Sequence, residues 1–154
     1  MRLTAWRHDR SSWLRTASLA ALCGSRTTLG PALVSQESTR LRRFRPLILA
    51  MAACELLVDK LPGISDRTAA APLVARAVSG SLVAVASRRR PGPGAVVAAA
   101  ALGAAAATVG SVLAFRFRRR LSRWLGGGKI ANAVSGTIED GLAITCGNAL
   151  TAYR

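Results

Sequence analysis

Apolar segments of helical length alternate with short arginine-rich connectors along this chain. The clearest segment, 94–115, holds 22 residues without a single charge. That length exceeds the roughly 20 residues that a helix needs to cross the hydrocarbon core of a bilayer. Pro91, Gly92 and Pro93 precede the segment, and five arginines follow it between positions 116 and 123. The pattern predicts a transmembrane helix here.

Four weaker apolar segments predict further helices. Pro46 suits a first helical position, Pro62 with Gly63 ends a helix, and the glycines 126–128 predict a hinge. We therefore expect an all-α, polytopic helical membrane protein with about four to five transmembrane or re-entrant helices, the first two short or re-entrant. The four weaker segments are 17–35, 46–58, 69–86 and 130–153.

The first sixteen residues hold four arginines in front of the apolar run 17–23. A basic stretch before an apolar run is also the layout of a secretory signal peptide. Because this run is only seven residues long, we favour a basic N-terminal lead-in, 1–16, followed by a single helical membrane domain, 17–153.

Charge and hydropathy together point to the bilayer as the solvent. The 154 residues include 22 Lys and Arg against 7 Asp and Glu, a formal charge of +15, yet 51% of them are hydrophobic.

Counted over five spans, twelve cations fall on the N-terminal side of the membrane and eight on the other, which predicts a cytoplasmic N-terminus. We expect a multi-pass protein of the inner (cytoplasmic) membrane whose arginines bind anionic lipid headgroups. We expect no nucleic-acid partner, because the arginines interrupt apolar segments and form no single basic face.

Four acidic residues lie inside or at the ends of apolar segments, where a carboxylate at mid-membrane costs about 2.5–3.5 kcal/mol on insertion scales. Two of them, Glu55 and Asp59, are four residues apart and share a helical face. On the last helix, Asn132 and Glu139 share another face, with Asp140 beside them.

Gathering these acids with nearby cations in one cavity would offset the cost of burying each, so we predict a polar site between the second and last helices. The alternative is a set of interfacial salt bridges that fix helix register near the headgroups. The candidate site residues are Arg26, Glu55, Asp59, Lys60, Arg76, Asn132, Glu139 and Asp140.

A series of short motifs runs in order through residues 17–150. It comprises Gly24-Ser25-Arg26-Thr27-Thr28 with Pro31-Ala32-Leu33-Val34-Ser35, then Glu55-Leu56-Leu57-Val58-Asp59-Lys60-Leu61-Pro62, then Asp66-Arg67-Thr68 with Arg76 and Ser79-Gly80, and Asn132-Ala133-Val134 with Glu139-Asp140. The series resembles domain-of-unknown-function family 4126, small bacterial proteins predicted to be integral to the membrane. The resemblance implies a polytopic membrane fold and no particular activity.

Three functions remain open from the sequence. The first is a small transporter or permeation unit whose carboxylates exchange protons or bind a cation. The second is a membrane enzyme that acts on lipid headgroups through a carboxylate-bound metal such as Mg²⁺. The third is a structural or assembly protein, and a homo-oligomer is compatible with all three. We favour a protein that is not an enzyme and has no cofactor, because its single histidine, His8, lies in the polar N-terminal segment.

Overall fold

The chain folds into six α-helices and one short 3₁₀ turn in the computed structural model, which describes residues 2–37, 42–58, 70–88 and 92–152. No strand occurs within those ranges, so the all-α prediction is confirmed. The helices are α1 (Arg2–Ser25), α2 (Leu29–Glu37), α3 (Arg45–Val58), α4 (Ala70–Ala86), α5 (Pro93–Trp124) and α6 (Gly128–Ala152), with the 3₁₀ turn at Arg42–Phe44.

The segment predicted as one helix over 17–35 is broken. Helix α1 begins at Arg2, so the basic lead-in and the start of the predicted domain form one continuous helix. Residues 26–28 are non-helical, and α2 begins at Leu29. The break is held by a contact from α3, because the backbone N–H groups of Thr27 and Thr28 both donate to Glu55.

Helix α5 is longer than its uncharged segment. It begins with Pro93 in the first turn and continues to Trp124, for 32 residues. Arginine is a good helix former, so the basic stretch 116–123 extends the helix and does not end it. Three glycines with φ of 90°, 73° and 86° follow at 126–128. Residues with a side chain rarely adopt such angles, so these glycines let the chain turn sharply into α6.

The centre of the bundle is formed by α1, α4 and α5. Gly80 and Gly103 bring α4 and α5 into backbone contact, since a Cβ on Gly80 would lie 2.5 Å from the Gly103 carbonyl oxygen. Gly110 faces α1 in a similar way, and Ser111 Oγ donates to the Gly24 carbonyl oxygen at 2.8 Å. Small residues at such crossings allow close packing of membrane helices.

The remaining helices pack around this centre. Helix α6 contacts α5, α1 and α2, while α2 lies against α3, α4 and α6. The break between α1 and α2 therefore lies where α3, α4 and α6 approach one another, and this position determines the site described below.

Large apolar side chains cover the outside of the bundle, and several polar ones fill its inside. Leu82, Val97, Leu113 and Ile130 are all more than half exposed. Most buried positions carry small or polar residues. Among the buried polar and charged side chains are Thr16, Arg26, Ser35, Arg76, Ser79, Ser111, Ser135, Glu139 and Asp140.

Within the described ranges, α5 is the one helix long and apolar enough to cross a membrane. Only 22% of its most apolar stretch is buried, whereas the core helix of a soluble protein is mostly buried. Helix α4 includes a shorter apolar stretch, Pro72–Ala86. One candidate span is therefore present in the described part of the chain, and the expectation of four to five spans stays a prediction.

Candidate functional site: a buried charge cluster

Five charged residues from four parts of the fold gather at the break between α1 and α2. They are called the charge cluster below. Its members are Arg26 in the break, Glu55 on α3, Arg76 on α4, and Glu139 and Asp140 on α6.

The Arg26 guanidinium forms an ion pair with Asp140. Nε and Nη2 of Arg26 donate to Asp140 Oδ1, at 2.8 and 2.5 Å. Both side chains are buried, with exposed fractions of 4% and 10%. A buried pair carries a large desolvation cost, and removing one partner leaves the other charge uncompensated. The pair therefore joins α6 to the break through one carboxylate oxygen, with little solvent screening.

Glu55 places its carboxylate at the N-terminal end of α2. The backbone N–H of Thr27 donates to Oε1 and that of Thr28 to Oε2, both at 2.8 Å. The Thr28 hydroxyl also donates to Oε2. The first N–H groups of a helix lack intrahelical partners, and the helix dipole favours negative charge at this end. The carboxylate thus binds α3 to the break and stabilises the start of α2.

Arg76 and Glu139 complete the charge cluster from α4 and α6. Both are buried, and the charges of Glu55, Glu139 and Arg26 all act on the Arg76 guanidinium. One helical turn beyond Arg76, Ser79 Oγ donates to the Thr27 carbonyl oxygen at 2.5 Å. Helix α4 therefore contacts the break through Ser79 and adds the buried positive charge of Arg76 to the cluster.

A small cavity of about 10 Å³ adjoins the charge cluster. Asp140 Oδ2 is buried and has no hydrogen-bond partner in the part of the chain that the structure describes. The cavity is lined by Arg26, Thr28, Leu29, Ala52, Asp140 and Ile144.

The structure brings together five of the eight residues predicted for the polar site. Asn132 lies apart: it is exposed, and its Oδ1 accepts from Arg118 Nε at 3.1 Å. Although Asn132 and Glu139 share a helical face, they lie two turns apart. Asn132 lies in the first turns of α6, which face the basic end of α5. Asp59 and Lys60 lie outside the described residues, as do Pro62 and Gly63.

Three polar residues of the site were not predicted from the sequence. Thr27, Thr28 and Ser79 supply hydrogen bonds that connect the break to α3 and α4. The available signal was the pair of threonines in the middle of an apolar segment, since threonine often precedes a helix start. In residues 2–37, 42–58, 70–88 and 92–152, no group of three or more His, Cys, Asp or Glu could hold a metal ion.

Comparison of the chain with models of protein families, with curated proteins and with solved structures gives no match. The resemblance to family 4126 therefore stays a hypothesis that rests on the motifs quoted above.

Proposed function

We propose that this chain is a multi-pass protein of the inner membrane, with α5 crossing the bilayer. The exposed apolar side chains of α4, α5 and α6 support this proposal, because they would face lipid. Charged residues flank the uncharged part of α5: Arg88 precedes it in the sequence and Arg116 follows it. Helix α4 and the broken pair α1–α2 then form shorter or re-entrant segments beside it. Reporter fusions at the helix connections test the number of spans.

The exposed arginines at the end of α5 would lie at the headgroup level. Arg116, Arg119, Arg120 and Arg123 are all exposed. A basic residue near an anionic membrane surface contributes about 1 kcal/mol of attraction. Anionic lipids are therefore the partner that we propose for this end of the molecule.

The charge cluster is proposed to be the core of a small permeation unit that conducts protons. The observation that carries this proposal is the burial of paired charges inside a bundle with an apolar exterior. Ionisable residues within membrane segments face the bundle interior and commonly form proton relays. In transporters, ions also bind where membrane helices are broken.

A purely structural role is the second candidate. The Arg26–Asp140 pair and the Glu55 carboxylate join segments that are far apart in the sequence. Charges whose role is to fix helix register would make contacts of this kind. The two candidates differ in one respect: a permeation unit requires groups that ionise, whereas a structural role requires only that the bundle stays folded.

Proton flux into vesicles tests the proposal. The full chain is reconstituted with anionic and zwitterionic lipids around an entrapped pH-sensitive dye, and a potassium gradient with valinomycin drives the protons. We expect flux well above that of protein-free vesicles. Glu139→Gln should reduce the flux at least tenfold, while Arg119→Gln, which removes an exposed charge on α5, should leave it unchanged. A folded, reconstituted wild-type chain without flux would overturn the permeation role in favour of the structural one.

A further inference from the structure

We infer that the exposed side of α5 carries a binding site for one anionic phospholipid. The phosphate of its headgroup binds three arginines near the C-terminal end of the helix, and an acyl chain lies along the apolar side chains that precede them. The inference rests on the proposed membrane location, and it assigns the lipid partner proposed there to one side of a single helix. The three arginines are Arg116, Arg120 and Arg123.

A single stripe of exposed residues forms this side of the helix. Its members follow one another at intervals of three or four positions, which places their side chains one above the other on a helix. The stripe is apolar as far as Val112 and basic from Arg116 onward, so the change takes place within about one helical turn. The α5 stripe consists of Ala105, Val109, Val112, Arg116, Arg120 and Arg123, all exposed.

The basic half of the α5 stripe carries positive charge that no carboxylate nearby in the sequence offsets. Positions 93–138 contain no Asp or Glu, and the next acid, Glu139, is buried in the charge cluster. Arg123 Nε donates to the Arg119 carbonyl oxygen at 3.4 Å, so the Arg123 side chain turns back toward the helical turn that holds Arg120. Arginine forms bidentate, charge-assisted hydrogen bonds with phosphate oxygens. The exposed arginines of the stripe therefore fit a phosphate-bearing partner.

The apolar half of the α5 stripe decides which phosphate-bearing partner fits. Val109 and Val112 are 56% and 40% exposed, and Leu113 beside them is 58% exposed. They continue directly into the basic half, because Val109 lies only about 10 Å from Arg116 along the helix axis. A free phosphate or a nucleic acid would cover the arginines alone and leave these side chains in water. A phospholipid covers both halves, since its acyl chains are joined to its headgroup.

Trp124 supports the position of a headgroup at this end of α5. Its side chain is 83% exposed, and it directly follows Arg123 in the sequence. Tryptophan is enriched at membrane–water interfaces, where its ring lies at the level of the headgroups. A phosphate bound by the arginines of the stripe would lie at this level.

Two further arginines of α5 lie off the stripe. Arg118 turns toward α6, where its Nε donates to Asn132 Oδ1 at 3.1 Å. Arg119 is exposed, but it lies about 100° from Arg120 around the helix axis. Arg119 therefore shares the helix, the charge and the exposure of Arg120 without belonging to the stripe, and it provides the matched control.

Native mass spectrometry of the full chain in a non-ionic detergent measures the binding of single lipid molecules. We expect the wild type to bind anionic phosphatidylglycerol about tenfold more tightly than zwitterionic phosphatidylcholine. Arg116→Gln/Arg120→Gln should remove this preference. Arg120→Gln alone should weaken phosphatidylglycerol binding about fivefold, and the control Arg119→Gln less than about twofold. Equal losses in Arg120→Gln and Arg119→Gln would overturn the site, because they would indicate attraction by net charge alone.

Substitution in the apolar half separates a lipid from a soluble anion. Val112→Ser keeps the three arginines but removes apolar contact, so phosphatidylglycerol binding should weaken about threefold. The matched control is Val97→Ser, because Val97 is exposed near the other end of the same helix and should not affect binding. Inorganic phosphate should not displace the lipid. An unchanged affinity in Val112→Ser, or displacement by inorganic phosphate, would overturn the lipid in favour of a free anion.

A short DNA duplex and a carbonate wash of membranes separate the remaining outcomes. A chain that binds the duplex through Arg116 and Arg120 and does not prefer phosphatidylglycerol would overturn the lipid site in favour of a nucleic-acid surface. A chain that stays in washed membranes without this lipid preference would overturn the site and keep the membrane proposal. A chain that carbonate releases, but that keeps the arginine-dependent preference in detergent, would overturn the membrane proposal and keep the site.

Discussion

Arg26 and Asp140 are 114 positions apart in the sequence, yet their side chains form a buried ion pair with an Nε–Oδ1 distance of 2.8 Å. The pair connects the break after α1 to the middle of the last helix. Three predictions concern the way this contact, Glu55 and the small residues hold the bundle together, and a fourth concerns the membrane.

Removing one partner of the ion pair should destabilise the fold strongly. Asp140→Asn leaves the Arg26 guanidinium buried without a counter-charge, and loss of one partner of a buried pair costs about 3–5 kcal/mol. The double variant Arg26→Gln/Asp140→Asn removes both charges and should recover more than half of that loss. Unfolding in detergent by denaturant, followed by circular dichroism, measures both. A double variant as unstable as the single one would show that the pair does not act as a unit.

Glu55→Gln should loosen α2 and α3 while the centre of the bundle stays intact. The amide keeps the shape of the side chain but loses the charge and one acceptor oxygen. Loss of a helix cap costs about 0.5–2 kcal/mol. Amide hydrogen exchange by mass spectrometry should show faster exchange in α3 and in the first turn of α2, with α5 unchanged. Uniformly faster exchange would mean that Glu55 supports the whole fold.

Gly80→Ala should destabilise the contact between α4 and α5. Its Cβ would lie 2.5 Å from the Gly103 carbonyl oxygen, so the helices must separate, and overpacking of this kind costs about 1–3 kcal/mol. Gly141→Ala is the matched control on α6: an added Cβ there has no neighbour within 4 Å, and alanine is the better helix former by about 1 kcal/mol. The midpoint of thermal unfolding should fall for the first variant and stay equal or rise for the second.

The proposed membrane protein should remain in the pellet when membranes are washed with alkaline carbonate. Ala105→Arg places a charge on an exposed position in the middle of the uncharged part of α5, where arginine costs about 2.5–3.5 kcal/mol of insertion. We expect a clear fall in the membrane-inserted fraction. Leu125→Arg lies beyond the basic end of α5 and should insert normally. Release of the wild-type chain with peripheral proteins would contradict the membrane proposal.

Local patterns in the sequence predicted most of the helices. The segment 69–86 corresponds to α4, Ala70–Ala86, and the segment opened by Pro46 corresponds to α3. Both helices end near prolines or glycines, whose effect on the backbone is local. The break at 26–28 was not predicted, because it is stabilised by Glu55, which lies 27 and 28 residues away from the N–H groups that it accepts.

The candidate site was predictable as a set of residue types but not as a set of pairs. The cost of burying a carboxylate indicated that Glu139 and Asp140 need partners. Nothing in the spacing showed that Asp140 would pair with Arg26, or that Glu55 would bind backbone N–H groups. Those pairings depend on how α3, α4 and α6 pack around the break, and long-range packing leaves no periodic signal in a single sequence.

The glycine turn between α5 and α6 has a consequence for how the chain assembles during synthesis. Three consecutive residues with positive φ interrupt the helical path, so the orientation of α5 does not dictate the rotation of α6 about its axis. Each residue of a helix advances the side-chain direction by about 100°, and a slip of one position would turn either Glu139 or Asp140 away from the interior. Because α6 is made after the other helices, we expect its rotational setting to be selected when Asp140 meets Arg26.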